Sequence, residues 1–292
     1  MEYNVFQQMI NEAERRYEVQ LHAAAAEILA SRTVHVVTVS GPTCSGKTTT
    51  TEKLKNQLVL AGHPVFLVSF DDFFRNRDTL PKNTSGRVDY DTAASLDLTL
   101  LGSCLERLVR GEQTILPKYD FKTGTRCGTV QYIPHENDFI LLEGIQAMYP
   151  EIRRYLPQTR TYRMVIMPKA DVTTPDGKII TAREIRLLRR LVRDVWMRGT
   201  SAEKTLSMWA DVCANEDANI FPYVAEADFR MDSYLDYELY IIAPQIRTLL
   251  ADLPKEGEGY AYVHDLLVRL SAYQAMPADG VPKDSVFREF IG

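Results

Sequence analysis

The sequence predicts a three-layer α/β fold, in which helices cover both faces of a parallel sheet. Four apolar runs have the composition of strands that are buried on both faces: VHVVTV (34–39), HPVFLVSF (63–70), DFILLEG (138–144) and TYRMVIM (161–167). Helical segments alternate with these strands, and this alternation is typical of parallel sheets. The 292 residues, of which 45% are hydrophobic, suffice for one such domain with additions.

The other elements follow from composition and periodicity. A segment rich in Ala, Glu, Gln and Leu, without Gly or Pro, predicts an N-terminal packing helix. A second helix should end near Leu60, a polar loop with Asn83 and Ser85 should occupy 75–93, and helical periodicity resumes at 94–110. We therefore expect three regions: an N-terminal helix at 1–33, the main domain at 34–245 and a helical tail at 246–292, whose turn signals include Pro254 and Gly257.

Charge and cysteine content exclude several classes of protein. The net charge of −5, from 34 basic and 39 acidic residues, gives no electrostatic attraction toward nucleic acid. The four cysteines form no C-x-x-C pair, which argues against a zinc site and a disulfide framework and favours a cytoplasmic location. No secretion signal and no membrane-spanning run is expected. A homo-oligomer is left open.

The motif with the clearest chemistry is GPTCSGKT at 41–48, a full match to G-x-x-x-x-G-K-[ST] between a buried strand and a helix. Its backbone N–H groups and the helix N-terminus attract phosphate oxygens, Lys47 reaches the β and γ phosphates, and the Thr48 hydroxyl binds Mg²⁺. The sequence therefore predicts a site for a nucleoside triphosphate such as ATP, with Mg²⁺, formed by Gly41, Pro42, Thr43, Cys44, Ser45, Gly46, Lys47, Thr48 and Thr49.

Acidic residues follow two of the predicted strands. Asp71 and Asp72 come after the second strand, and because side chains alternate along a strand we expect only one, Asp71, to face the nucleotide. Such a carboxylate could orient an attacking hydroxyl and take its proton. Glu143 ends the third strand, where a second acidic partner of Mg²⁺ is expected.

The segment 181–199 predicts an amphipathic helix with an arginine face. Its arginines are Arg183, Arg186, Arg189, Arg190, Arg193 and Arg198. Because a guanidinium binds phosphate with two parallel hydrogen bonds, we expect an Arg-rich helical lid at about 171–215 that closes over the donor phosphates, with Gly199 as its hinge. The alternative is a solvated basic helix. A GTP-binding switch is disfavoured, since no D-x-x-G follows the third strand.

These motifs together resemble the uridine kinase and phosphoribulokinase family of P-loop kinases. The resemblance runs from about Val34 to the end of the sequence and rests on six ordered motifs: the P-loop, SFDDFFR (69–75), PKYDFKTGTR (117–126), LLEGI (141–145), RRLVRDVWMRG (189–199) and ANIFPYVAEAD (218–228). It implies a three-layer P-loop kinase fold and a kinase that phosphorylates a ribonucleoside, with uridine or cytidine expected first.

The resemblance also implies roles for individual residues. Asp71 would be the general base toward the ribose 5′-hydroxyl, and Thr48, Asp71 and Glu143 would surround Mg²⁺. Asp91 would hold the ribose 2′ and 3′ hydroxyls with help from Arg190. The remaining assignments are Tyr119 and Phe121 beside the base, Arg126 in substrate binding, and Arg193 and Arg198 on phosphates.

Two positions depart from the family pattern at side chains that contact the nucleoside base. Gly124 stands where uridine-cytidine kinases have a His, and Met208 stands where they have a Gln. We expect a void at Gly124 and relaxed base selectivity, so that purine nucleosides or another hydroxylated small molecule stay open as acceptors. The alternative from a different class is a nonenzymatic or regulatory nucleotide-binding protein.

Overall fold

The central sheet contains five strands, all parallel. The computed structural model describes residues 2–82, 86–157, 161–251 and 258–292. In chain order the strands are β1 Val36–Ser40, β2 Val65–Ser69, β3 Thr114–Asp120, β4 Thr125–Tyr132, β5 Phe139–Glu143, β6 Thr161–Met167, β7 Val172–Thr173, β8 Ile179–Ile180 and β9 Phe229–Asp232. The sheet order is β2-β5-β1-β6-β9, while β3 pairs with β4 and β7 with β8 as antiparallel hairpins.

Helices cover both faces of this sheet, which confirms the predicted three-layer α/β fold. They are α1 Tyr3–Ala30, α2 Lys47–Leu60, α3 Leu98–Val109, α4 Pro150–Arg153, α5 Ala182–Arg198, α6 Ala202–Asn219, α7 Glu238–Ala251, α8 Glu258–Leu270 and α9 Arg288–Ile291. Along β1, Val36 joins the apolar cluster of α3 and α4, whereas Val37 and Val39 join the larger cluster on the opposite face. This alternation follows from the two-residue period of a strand.

The strand register brings the ends of three strands to one edge of the sheet. Val39 of β1 and Ser69 of β2 both pair with Glu143, the last residue of β5. The P-loop follows β1, Asp71 follows β2, and Glu143 closes β5, so the predicted functional residues meet at the carboxyl edge. Ligands of open α/β sheets bind at this edge.

The predicted N-terminal helix is present as α1, and it packs into the core. Its apolar residues Phe6, Ile10, Leu21 and Ile28 are at most 1% exposed and belong to the same cluster as α2 and α7. The hydroxyl of Tyr17 lies 2.6 Å from that of Thr50 on α2. Thus α1 supports the helix that carries the P-loop.

The arginine-rich segment forms α5, and its apolar face lies in the core. Its first turn is closed by a capping box between Thr181 and Glu184, and Gly199 ends the helix with φ of 63°. Ile185 and Leu188 are fully buried. The expected lid therefore contains a helix fixed in the core, and its closure over the phosphates stays a prediction.

Three strand regions were not predicted: the β3–β4 hairpin, the short β7–β8 hairpin and the edge strand β9. The predicted loop at 75–93 contains a short 3₁₀ turn at Arg77–Thr79, while Asn83 and Ser85 of that loop, and the tail's turn residues Pro254 and Gly257, lie outside the described residues. None of the helices in the described ranges combines the length and apolar character that crossing a bilayer requires.

Candidate active site

A cleft of about 770 Å³ opens at the carboxyl edge of the sheet. It runs from the P-loop at one end to the segment around Asp91 at the other. Most residues that the sequence assigned to a site line it: Thr43, Cys44, Lys47, Thr48, Asp71, Asp91, Phe121, Glu143, Arg190, Arg193 and Arg198. The cleft is thus continuous between these two ends, which we name the nucleotide end and the acceptor end after the roles that the sequence predicts for them.

The P-loop has the backbone that phosphate binding requires. Gly46 has φ of 89° and precedes the first residue of α2, so the helix start follows the loop directly and its first residues, Lys47 and Thr48, line the cleft. Lys47 is largely buried, and its Nζ donates to the carbonyl oxygen of Pro42 at 3.0 Å. The Thr48 side chain is exposed to the cleft.

Asp71 and Glu143 face the same region as Lys47. Desolvation by the cleft walls raises the pKa of Asp71, and the Lys47 ammonium opposes this effect. Burial also raises the pKa of Glu143 to about 7; Lys47 lowers it, and the neighbouring Asp71 raises it further. The two carboxylates and the Thr48 hydroxyl line the same cleft, and together they form a set of oxygen ligands that fits Mg²⁺.

The adjacent Asp72 has a different environment. Its carboxylate pairs with Lys118 at 2.5 Å and accepts the Tyr119 backbone N–H at 3.2 Å, which ties the hairpin to the sheet. The prediction that only Asp71 faces the cleft agrees with this geometry, but its reason was wrong. Residues 70–73 form a 3₁₀ turn after β2, so strand alternation does not apply to them.

The arginine face of α5 is divided between the cleft and the interior. Arg190, Arg193 and Arg198 line the cleft and share Asp194, at 3.2, 3.2 and 3.8 Å. These are the three arginines of α5 that the sequence assigned to substrate or phosphate. They remain on the side of the helix that an anionic ligand would contact.

Arg186 and Arg189 are buried instead. Arg186 forms two hydrogen bonds to Glu216 of α6, at 2.6 and 2.7 Å, and donates to the Thr43 carbonyl oxygen at 3.1 Å. Arg189 pairs in the same way with Glu238 of α7. These two arginines hold helices and the P-loop together, so the predicted phosphate-facing surface is smaller than the sequence indicated.

At the acceptor end, Asp91 is supported from behind by hydrogen bonds. The Tyr149 hydroxyl donates to the Asp91 carbonyl oxygen at 2.9 Å and accepts from Asn215 Nδ2 at 3.0 Å. Burial raises the pKa of the Asp91 carboxyl to about 6, and the positive charge of Arg190 opposes the rise. The side chain therefore stays ionised at neutral pH and can accept hydrogen bonds from hydroxyl groups.

Sequence reasoning missed a row of side chains, three of them polar and one apolar, that α6 contributes to the acceptor end. Its residues are Met208, Asp211, Asn215 and Asn219. They recur at intervals of three or four along α6 and therefore share one face of the helix. Only Met208 had been singled out, although this spacing was a signal available in the sequence.

Two residues assigned to substrate binding lie outside the cleft that the described residues form. Arg126 forms an ion pair with Asp97 at 2.9 Å. Tyr119 packs behind Phe121, with ring centroids 5.1 Å apart, and its buried hydroxyl has no hydrogen-bond partner among the described residues. The structure does not bring these two side chains to the cleft: Arg126 is exposed on β4 and Tyr119 is half-buried on β3, whereas Phe121, which follows β3, lines the cleft.

The void expected at Gly124 is filled by Arg77. A Cβ atom at Gly124 would lie 2.8 Å from the Cβ and Nε atoms of Arg77, and the Arg77 guanidinium donates to the Phe121 carbonyl oxygen. Gly124 also has φ of 72°, in the left-handed region that favours glycine. The missing base-reading side chain is thus replaced by an arginine that supports the turn carrying Phe121.

Comparisons with known proteins agree with this geometry. The family model described as Phosphoribulokinase / Uridine kinase family matches residues 36–238. A uridine kinase of Macrococcus caseolyticus is 30% identical over 179 residues, which cover 61% of this chain and 77% of that relative. A uridine kinase of Bacillus pumilus is 27% identical over 177 residues, covering 61% and 75%.

A solved structure from Silicibacter sp. TM1040, described as a fructose transport system kinase, shares the fold. It is 18% identical, has a TM-score of 0.51, and the superposition covers 72% of this chain and 98% of that one. The resemblance drawn from the motifs is therefore confirmed by a family match that spans β1 to the start of α7. The chain belongs to the phosphoribulokinase / uridine kinase family, whose members are phosphotransferases that act on an alcohol group.

Proposed function

We propose that the protein transfers the γ-phosphate of ATP to the 5′-hydroxyl of a ribonucleoside, with uridine and cytidine as the first candidates. The observation that carries this proposal is the single cleft that joins the P-loop, Asp71 and Asp91. The similarity to two uridine kinases supports a nucleoside as the acceptor. The free cysteines at 44, 104, 127 and 213 fit a cytoplasmic location.

At the donor end, the chain itself supplies most of the positive potential. The start of α2 and the Lys47 ammonium would hold the phosphates, and Thr48, Asp71 and Glu143 would hold Mg²⁺. When bound, Mg²⁺ would neutralise charge on the phosphate oxygens. The raised pKa of Glu143 is consistent with such a role, since a cation beside the two carboxylates would favour their ionised forms.

Asp71 would position the acceptor hydroxyl for attack and accept its proton. It lines the same cleft as the P-loop and Asp91, and within the described part of the chain it forms no ion pair of the kind that occupies Asp72. Because phosphoryl transfer depends mainly on positioning and charge neutralisation, proton removal can come late in the reaction. Arg193 and Arg198 would stabilise the charge on the transferring group.

At the acceptor end, Asp91 would accept hydrogen bonds from the two vicinal ribose hydroxyls, with Arg190 beside it. The two departures affect only the base. Phe121 and Met208 offer apolar contacts, and the position of the family's His is occupied by the Gly124–Arg77 contact. A purine nucleoside, or another hydroxylated small molecule, is therefore the second candidate acceptor.

The test is an ADP-release assay with a panel of acceptors. We expect ATP- and Mg²⁺-dependent turnover with uridine or cytidine and weaker selection among bases, of about 10- to 200-fold, because apolar contacts discriminate modestly. 2′-Deoxyuridine should be a poor acceptor, because it offers Asp91 only one of the two hydroxyl donors. Inosine, guanosine and adenosine complete the panel, with Asp71→Asn as the inactive control. Turnover only with a sugar or polyol would contradict the nucleoside assignment.

A further inference from the structure

Helix α9 and the residues before it form a segment, 285–291, that lies against the P-loop. Val286 approaches Gly46 so closely that a Cβ atom there would be 2.5 Å from the Val286 Cγ2 atom. Phe287 and Phe290 are fully buried, and Phe290 lies under the guanidinium of Arg189, 4.8 Å from ring centroid to Cζ. We call residues 285–291 the strap.

The strap is anchored at its other side as well. Ser285 hydrogen-bonds to Glu14 of α1 at 2.6 Å, and Arg288 donates to the carbonyl oxygen of Val281 at 2.8 Å. The backbone of α9 is thus held in place by apolar burial and by polar contacts. Because this backbone is held, we expect a contact between the strap and the P-loop to be broken by movement of a strap side chain.

That side chain is Glu289, which projects into the cleft. Its Oε2 atom accepts the backbone N–H of Thr49 at 3.2 Å and the Thr49 hydroxyl at 3.0 Å. Thr49 is the third residue of α2, so its N–H is among those that a helix start leaves free. In the function proposed above, these are donors that a nucleotide phosphate would use.

The charge of Glu289 reaches the same end of the cleft. Burial is the main cause of the raised pKa of Glu143, and the charges of Asp71 and Glu289 add to it. A nucleotide phosphate bound there would meet this third carboxylate. Both the phosphate and Glu289 require the same donors, and both are anions.

We propose that Glu289 is a built-in competitor of the nucleotide, which occupies the Thr49 donors in the unliganded protein and must move away when a polyphosphate binds. This inference rests on the proposed function, since it assumes that the P-loop holds nucleotide phosphates. The apparent nucleotide affinity is then the intrinsic affinity multiplied by the fraction of molecules in which Glu289 leaves Thr49 uncovered.

The test measures binding alone, by isothermal titration calorimetry with ADP and with inorganic pyrophosphate, each with EDTA and with Mg²⁺. The variants are Glu289→Gln, which keeps the shape but loses the charge, and Glu289→Ala, which removes both. The matched control is Glu52→Gln, because Glu52 lies on the same helix as Thr49 but pairs with Lys55 outside the cleft. Thermal melting accompanies each variant.

We expect both Glu289 variants to bind both probes more tightly than the parent protein in EDTA, by about 3- to 10-fold if Glu289 covers Thr49 in most of the unliganded molecules. Glu289→Ala should bind at least as tightly as Glu289→Gln, and Glu52→Gln should match the parent. A slightly lower melting temperature together with tighter binding would support the proposal, because a merely structural contact would give lower stability without tighter binding.

Three outcomes would overturn it. Unchanged or weaker binding by the variants in EDTA, with normal ADP binding by the parent, would reject the competitor role and leave the proposed function intact. Weaker binding only with Mg²⁺ would make Glu289 a partner of the metal instead. No binding of either probe by any protein would reject both this inference and the nucleotide site.

Discussion

Asp71 and Asp72 show how neighbouring residues of one type acquire different roles. Asp71 lines the cleft, whereas the Asp72 carboxylate pairs with Lys118 and accepts the backbone N–H of Tyr119. We predict that Asp71→Asn lowers kcat by about 10²- to 10³-fold with nucleotide binding retained, because an amide cannot accept the proton. Asp72→Asn should keep kcat within about threefold, since its remaining oxygen can still accept the Tyr119 N–H.

Steady-state kinetics on the two variants, with ADP binding measured separately, would check this prediction. Asp72→Asn is the matched control, because it makes the same chemical change one position away. A larger loss of kcat in Asp72→Asn than in Asp71→Asn would show that the assignment of the base is wrong.

Asp91 gives a prediction about pH. Burial raises its pKa to about 6, so the carboxyl takes up a proton as the pH falls through that value. The protonated form accepts fewer hydrogen bonds from hydroxyl groups. We therefore expect the KM for the nucleoside to rise as the pH is lowered from 7 to 5 at saturating ATP.

Asp91→Asn should have a high KM that changes little over the same range. Glu143 lies at the phosphate end of the cleft, where bound Mg²⁺ would favour its ionised form, so Glu143 should not contribute to a change of the nucleoside KM in this range. A nucleoside KM in the parent protein that stays constant between pH 5 and 8 would remove Asp91 from the acceptor site.

At the scale of elements, α5 combines a structural and a functional face. Arg193 faces the cleft, whereas Arg183 pairs with Asp217 at the surface. We predict that Arg193→Lys lowers kcat by about 10- to 100-fold, since it keeps the charge but loses the forked hydrogen bonds. The nucleoside KM should change less.

Arg183→Lys is the matched control on the same helix, and it should leave both constants unchanged. Initial rates over a matrix of ATP and nucleoside concentrations separate kcat from the two KM values. Equal kinetic constants for the parent and Arg193→Lys would support the alternative interpretation, in which this face of α5 is a solvated basic surface.

The elements that sequence patterns predicted well are those whose signal is local. The run 34–39 predicted both ends of β1 to within two residues, because apolar β-branched residues that precede a glycine-containing loop favour a strand over other secondary structure. β4 was missed, since nearly all of its side chains are exposed and it carries no apolar alternation. β9 is only four residues long, and Met231 is its one buried residue.

The same division holds for the candidate site. Motif residues such as Lys47, Asp71 and Glu143 reach the cleft because each lies at the carboxyl end of a strand or in the short segment that follows it. Glu289 and the filling of the Gly124 space by Arg77 depend on contacts between distant parts of the chain. A single sequence shows which residue is missing at a position, but not which distant side chain occupies its space.

For the whole molecule, the main question is whether α1 is a separate addition or part of the folding unit. Its buried residues share one apolar cluster with α2, α7 and the central strands. It also contacts the strap through Glu14 and Ser285. The N-terminal region predicted at 1–33 therefore has the packing of an integral element, which supports the P-loop helix from behind.

This packing predicts the effect of one core substitution in α1. Leu21 is 1% exposed, and we expect Leu21→Ala to lower the free energy of unfolding of the whole protein by about 2 to 5 kcal/mol, because a buried leucine leaves a cavity. Val19, on the same helix, is 55% exposed, so Val19→Ala should change it by no more than about 0.5 kcal/mol. Denaturant unfolding followed by circular dichroism and by tyrosine fluorescence should give one coincident transition that shifts in Leu21→Ala. If α1 were a separate unit, the substitution would instead split off an early transition and leave the midpoint of the main one unchanged.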